Sequence, residues 1–383
     1  MRLGEMCRRT VLAVGVSAAI AFVAVAACQS SPSDVPRRPD EGSVREMQGP
    51  GGVSEYGTKA GDTGLTTAVR AVGGPSVVTV QKDRNDSFQY LVAGKPQVFI
   101  GMGYNPIYRH LSHEERAANY ERDFRILSDA GVNHIIGWDF DKGYEQDKFD
   151  ELTLDMAFKY GIGVVMPFYV PPDGNYRDEA FLQSLLDEAA QKIARFKDHP
   201  ALRMWGVGNE VMLDNRSRRM WAAFWPFYLR LADLFHRLDP NHPVLYREAE
   251  GYLLPAVINV LRQGPDQRPW LIFGLNIYSL ELEHFLDSWT YTGFERPLLV
   301  SEFGAESFWA GGRPLGYLNM WRSIRAHSDY VLGGAPYVWT IEGPEPTDTK
   351  WGLMDAEGRP VDDTFEQLAA EWCVIARGSS QCR

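Results

Sequence analysis

From Phe88 onward, short apolar runs of strand length alternate with amphipathic runs of helical period, and no other feature limits the possible folds so strongly. "YLVAGKPQVFIGMGY" reads as a hairpin turning at Gly94-Lys95 that feeds a first buried strand, Val98 to Gly103. Ser112, with Glu115 three residues on, forms a capping box that opens a helix from Glu114 to Ala130. "NHIIGWD", a helix around Gln146 to Tyr160, "GIGVVMPFYV", a helix from Asp178 to Phe196, and "LRMWGVG" follow. The next helix places Trp221, Phe224, Trp225, Tyr228, Leu231 and Phe235 on one face, a core stripe. "HPVLYRE", "LIFGLNIY", "RPLLVSEFG" and "GGAPYVWT" supply four more strands, with helices near 315 to 328 and 363 to 377. Eight strands and about eight helices in roughly 300 residues predict an α/β protein, a (β/α)₈ barrel. A doubly wound sheet normally shows a Gly-rich phosphate turn after its first strand, and none is present.

The residues before this body differ in composition. Arg2, Arg8 and Arg9 precede an uncharged apolar run from Val11 to Ala27, the layout of an export signal. Val25-Ala26-Ala27-Cys28 resembles a bacterial lipobox, which implies a signal peptide over 1–27, lipidation of Cys28 and an extracytoplasmic protein lipid-anchored to the cell membrane; an uncleaved anchor is the alternative. Residues 28–75 are rich in Ser, Pro, Gly and charge, as in a disordered tether, so the folded domain is expected over 76–383. Loss of 1–27 would leave 36 basic against 49 acidic residues, a net charge of −13, which argues against a nucleic-acid partner. With Cys7 in the signal and Cys28 the lipid site, Cys373 and Cys382 remain to form a disulfide or stay as free thiols. His110 and His113 lack a third ligand nearby, which favours structural or substrate contacts over metal.

In a (β/α)₈ barrel the C-terminal strand ends share one basin. Asn105, Trp138, Asp139, Asn209, Glu210, Arg247, Glu248, Asn276, Tyr278, Glu302, Trp339 and Glu342 all fall at such ends. The fourth and seventh strands lie on opposite sides of the mouth, so Glu210 and Glu302 would face one another across a gap. Two facing carboxyl groups suit glycosidic cleavage, one protonating the leaving oxygen while the other attacks or shields the anomeric carbon. No cofactor and no metal is needed for that chemistry.

"WGVGNE", "VSEFGA", "NIY" and "VWT" resemble the strand-four, strand-seven, strand-six and strand-eight segments of the clan A glycoside hydrolases, and "WGLMDAEGRPV" and "AGKPQVFIGMGYNPI" are similar to the closing and opening segments of family 2 type barrels. The resemblance implies a retaining glycoside hydrolase acting on β-linked glycans, with Glu210 as acid/base, Glu302 as nucleophile and Asn209 as donor to the sugar 2-hydroxyl. It further implies that Tyr278 hydrogen-bonds Glu302 and holds it ionised, and that Trp339 floors the sugar subsite. Asn276, Trp138, Asp139, Arg247 and Tyr104 complete the candidate substrate-binding set, with Trp309 and Trp351 as weaker candidates for sugar stacking. An arginine that many members carry near strand two is replaced here by Trp138 and Asp139, and Arg109 or Arg247 is the expected substitute. A β-glucan transglycosylase would use the same glutamates, and a non-catalytic glycan-binding surface lipoprotein is the reading from another class.

Overall fold

The structure, a computed structural model, describes residues 73–139, 149–214, 218–249, 251–253, 255–258, 268–291 and 295–382. The export segment, Cys28 and the tether as far as residue 72 lie outside the described residues, as does the start of the helix expected at Gln146.

Eight parallel strands close into a barrel: β4 (Phe99–Gly103), β5 (His134–Ile136), β6 (Gly163–Phe168), β7 (Leu202–Asn209), β8 (Val244–Ala249), β9 (Leu271–Ile277), β10 (Leu298–Phe303) and β11 (Val331–Pro336), in that order, with β11 paired back to β4. Strands covered on both faces need apolar side chains pointing both ways, which is why these segments read as unbroken apolar runs. At the closing seam Gly333 takes φ 144°, and a Cβ there would stand 1.9 Å from the carbonyl oxygen of Phe99. Only glycine lets the two backbones approach so closely.

Helices Glu179–Phe196 and Arg218–Leu238 pack outside the barrel. In the second, Phe224, Trp225, Tyr228, Leu231 and Phe235 are buried and Trp221 packs partly buried against them, as the stripe requires. The helix His113–Ala130 starts at the expected capping box, with the Ser112 hydroxyl accepting from Glu115 N–H and the Glu115 carboxylate from Ser112 N–H. A helix absent from the expectations, Leu282–Tyr291, follows β9.

Ahead of the barrel, β1 (Val78–Lys82), β2 (Phe88–Val92) and β3 (Lys95–Gln97) form an antiparallel sheet. Val78, Tyr90 and Val92 from it join Phe99, Ile136, Val165, Met204, Leu245, Ile272, Leu299 and Leu332 in one buried cluster, so the sheet stoppers the N-terminal end of the barrel. That end is apolar and filled, which leaves the opposite end for polar chemistry. At the stoppered N-terminal end Ser76, His242 and Asp239 line up in serine–histidine–aspartate order, with Ser76 Oγ 2.9 Å from His242 Nε2 and His242 Nδ1 2.7 Å from Asp239 Oδ2. The Ser76 hydroxyl also donates to the Leu202 carbonyl, so the trio fastens the incoming chain to the barrel floor. At the other terminus Cys373 and Cys382 are joined as a disulfide, closing a ten-residue tail loop at a Cα separation of 5.8 Å.

Candidate active site

The carboxyl end of the barrel opens into a cavity of about 470 Å³, within the range of small-ligand sites. Asn209, Glu210, Trp138, Asp139, Arg247, Tyr278 and Glu302 all line it, so the sequence-derived set largely converges on one place.

Glu210 is the first residue after β7 and has φ 51°, left-handed backbone that side chains other than glycine adopt at a cost of about 1 kcal/mol or more. Its N–H donates to the Arg247 carbonyl at 3.0 Å, which fixes the turn, and the helix Val211–Asp214 begins at once. Glu248 grips that helix from behind: its carboxylate accepts from the N–H groups of Met212 (2.9 Å), Leu213 (3.3 Å) and Ala249 (3.0 Å) and from the Tyr246 hydroxyl. It is 1% exposed and outside the cavity lining, so it positions the Glu210 turn instead of meeting a ligand. Burial pushes the Glu248 carboxyl up to about 7.

Glu302 sits at the end of β10 and is 4% exposed. Its Oε2 accepts the Tyr278 hydroxyl at 2.7 Å and its Oε1 accepts the Trp138 indole N–H at 2.8 Å. Arg247 lies nearby, 2% exposed, with Nη1 donating to the Gly137 carbonyl at 3.1 Å and its guanidinium 5.8 Å from the Trp138 ring centroid. Thus strand β8 supplies the buried cation, while Arg109 is placed beside Asp150 at 3.6 Å. Asn276 links the two glutamates' strands. Its amide donates to Glu210 Oε1 (2.8 Å) and Asn209 Oδ1 (3.1 Å), its oxygen accepts from Ser301 Oγ (2.7 Å), and it pairs in register with Glu302. With its oxygen taken, Asn209 has only amide N–H groups left to offer the cavity.

The two carboxyl groups feel each other and ionise unequally. Burial, then the negative charge of Glu302, pushes Glu210 up to about 8. Burial also raises Glu302, opposed by Arg247, by the hydrogen bonds from Tyr278 and Trp138 and by the nearby Asn276 amide. From its hydrogen bonds alone Glu302 is expected to hold a low value, and the structure corrects that: desolvation outweighs the donors. Even so, the donors and the guanidinium make Glu302 the member that ionises first and leave the proton with Glu210. Trp205 is committed to the core, with its indole donating to Asp239 at 2.7 Å and its ring packed on Phe235.

Several expected ligands lie elsewhere. Trp339 is fully buried and packs between Tyr104 and Phe365, with ring centroids 6.4 and 5.9 Å away. The reason is local: β11 ends at Pro336, so strand alternation lapses before residue 339 and Tyr337 is the ring that reaches the cavity. Tyr104 is 2% exposed and donates to Asp123 at 2.8 Å, outside the lining, because it follows the last residue of β4 and turns toward the helix layer. Asn276 is fully buried and contacts catalytic candidates, not open space. Asn105 braces Thr340 through two hydrogen bonds of 3.0 and 3.1 Å. Glu342 and His110 line a separate cavity, and Trp309 packs against the core. His113 begins a helix, and among the described residues no group of three His, Cys, Asp or Glu could hold a metal ion.

Tyr337, Phe168, Tyr169, Asp214, Glu345 and Trp351 also line the cavity. Phe168-Tyr169 at the end of β6 was open to the same strand-end sorting, whereas Glu345 and Thr347 come from a loop beyond β11 that carries no strand signal, and Trp351, a stacking candidate, ends the short helix Asp348–Trp351. Trp351, Trp138 and Val338 form an apolar wall with Tyr278 and Tyr337 packed against it.

Comparison with known proteins follows the same outline. Residues 158–332 match Glycosyl hydrolases family 2, TIM barrel domain. The chain is 24% identical over 232 residues to beta-glucuronidase of Sus scrofa (57% of this chain, 32% of that protein) and 25% identical over 263 residues to beta-glucuronidase of Paenibacillus borealis (60% and 39%). It therefore spans about a third of the length of these curated relatives. Among solved structures it is similar to a GH2 beta-galacturonidase from Eisenbergiella tayi bound to galacturonate (TM-score 0.56, 18% identity, 78% of this chain and 54% of that one). A Bacteroides uniformis beta-glucuronidase gives TM-score 0.55 at 16% identity, with 77% and 37% covered. Together these likenesses support a clan A glycoside hydrolase related to the catalytic barrel of family 2.

Proposed function

We propose that the protein is a retaining β-glycosidase working outside the cytoplasmic membrane. The observation that carries this reading is one cavity holding two coupled carboxyl groups in unlike surroundings, Glu302 clasped by donors and Glu210 burdened by burial and by its partner's charge. Glu302 attacks the anomeric carbon as the bond to the leaving oxygen breaks and Glu210 gives that oxygen its proton. Water, deprotonated by Glu210, then displaces Glu302 from the glycosyl ester. Two displacements at one carbon preserve configuration. With a 4-nitrophenyl β-glycoside followed by proton NMR, the first free sugar is expected as the β-anomer, and initial α-anomer would overturn the double displacement.

Export and lipid attachment at Cys28 are supported by the arginine-flanked apolar segment and by the Cys373–Cys382 disulfide, which suits an oxidising compartment. Full-length protein expressed in a bacterium should incorporate radiolabelled palmitate, and Cys28→Ala should not. Equal labelling of both forms, or labelling of neither, would refute lipid attachment at that residue.

A further inference from the structure

Resting on the glycosidase reading, we infer that the sugar bound in the cavity carries no carboxylate, and that Asp139 receives one of its hydroxyl or ammonium groups. The described lining contains five carboxyl side chains, Asp139, Glu210, Asp214, Glu302 and Glu345, against a single guanidinium, Arg247. Arg247 is 2% exposed, donates to the Gly137 carbonyl and faces Glu302, Glu210 and Asp139, so its charge is already matched. The neighbouring ammonium groups are engaged too. Lys192 pairs with Asp139, while Lys350 pairs with Glu306 and stands 4.2 Å over the Trp351 ring. A uronic acid entering this space would bring a sixth carboxyl group with no described cation left to receive it.

Asp139 marks where a donor group of that sugar is received. Its side chain is 7% exposed, its Oδ2 is held by Lys192, and its Oδ1 is buried without any hydrogen-bond partner although the residue lines the cavity. Buried carboxylate oxygens are normally satisfied. This one is an acceptor fixed in place by a lysine and waiting for a donor, which a sugar hydroxyl or ammonium group supplies. In the same cavity Trp138, Tyr337 and Trp351 contribute aromatic surface, which suits the C–H face of a pyranose. The relatives named beta-glucuronidase and beta-galacturonidase would then differ from this protein in the group recognised, not in the bond cleaved.

The test compares 4-nitrophenyl β-glucoside, galactoside, mannoside, xyloside and glucosaminide with the β-glucuronide and β-galacturonide on the full-length protein. The best substrate without a carboxylate should exceed the better uronide in kcat/KM on the order of 100-fold. A uronide turned over fastest would overturn the inference while upholding the glycosidase reading. If nothing is cleaved, the glycosidase reading fails, and the sugar preference is read instead by calorimetry with the non-hydrolysable phenyl 1-thio-β-glycosides of the same sugars. Binding of an uncharged or aminated thioglycoside but not of the uronides would uphold the preference; tighter uronide binding, or no binding by any, would sink it. For Asp139 itself, monodeoxy versions of the best ligand, substrate or thioglycoside, are compared with the parent. One of them should lose about 10-fold with the natural protein and little with Asp139→Asn, since the penalty requires both partners. Equal penalties for every deoxy position in both proteins would remove Asp139 from sugar recognition.

Discussion

Glu302→Ala should lower kcat for an activated aryl β-glycoside by about 10⁵-fold, because the covalent route is lost altogether. Glu302 is the cavity carboxylate that accepts both the Tyr278 hydroxyl and the Trp138 indole N–H. Truncation to alanine opens a space beside the anomeric carbon that a small anion can enter. Added azide should then restore turnover, attacking from the side Glu302 occupied and giving the α-glycosyl azide. The inverted product separates a missing nucleophile from a generally damaged site. Undiminished hydrolysis in the variant would show that the pair is misassigned, and a β-configured azide would assign the attacking role to another group. Glu302→Gln serves as the control for folding, since it keeps the shape that fills the space between Tyr278 and Trp138; it should be equally inactive without azide and little helped by it.

The barrel was legible because its strands are buried on both faces, so each appears as an apolar run broken by polar turns. β4, β5, β6, β9 and β10 all fall inside the segments expected, and β7 runs one residue past its own. Glu210 and Glu302 were legible for a related reason: strand ends are marked by where the apolar run stops, and the barrel brings those ends together. What could not be read is how the chain turns once a strand has ended. Trp339 and Tyr104 both lie just past such an end, where the two-residue alternation no longer says which way a side chain points. Asn276 was placed at the correct mouth but in the wrong role, because only three-dimensional neighbours reveal that its amide is spent on Glu210 and Asn209. Glu248 differs again. A carboxylate beside the basin looks like a sugar ligand until the N–H groups of Met212 and Leu213 are found on it.

The alkaline limb of kcat/KM should fall near pH 8, well above the range of an ordinary carboxyl group. Glu210 must hold a proton to assist departure of the leaving oxygen, and burial followed by the Glu302 charge raises its pKa to about 8. Above that value the acid is lost, and kcat/KM should drop tenfold per pH unit. The second of those causes is temporary. Once Glu302 is esterified to the sugar it carries no charge, so its part of the upward push on Glu210 disappears and the carboxyl group becomes easier to deprotonate. That change is in the direction the second displacement needs, where Glu210 must take a proton from water. A 2-deoxy-2-fluoro β-glycoside with a good leaving group should trap the ester, and ¹³C NMR of labelled glutamate can follow Glu210 in the free and trapped protein. The trapped form should titrate lower, and by an amount unaffected in Tyr278→Phe once the ester has formed, since the acceptor of that hydroxyl no longer bears the charge. An unshifted Glu210 would mean that Glu302 does not govern the proton, and an alkaline limb absent up to pH 9 would mean that Glu210 is not the acid at all.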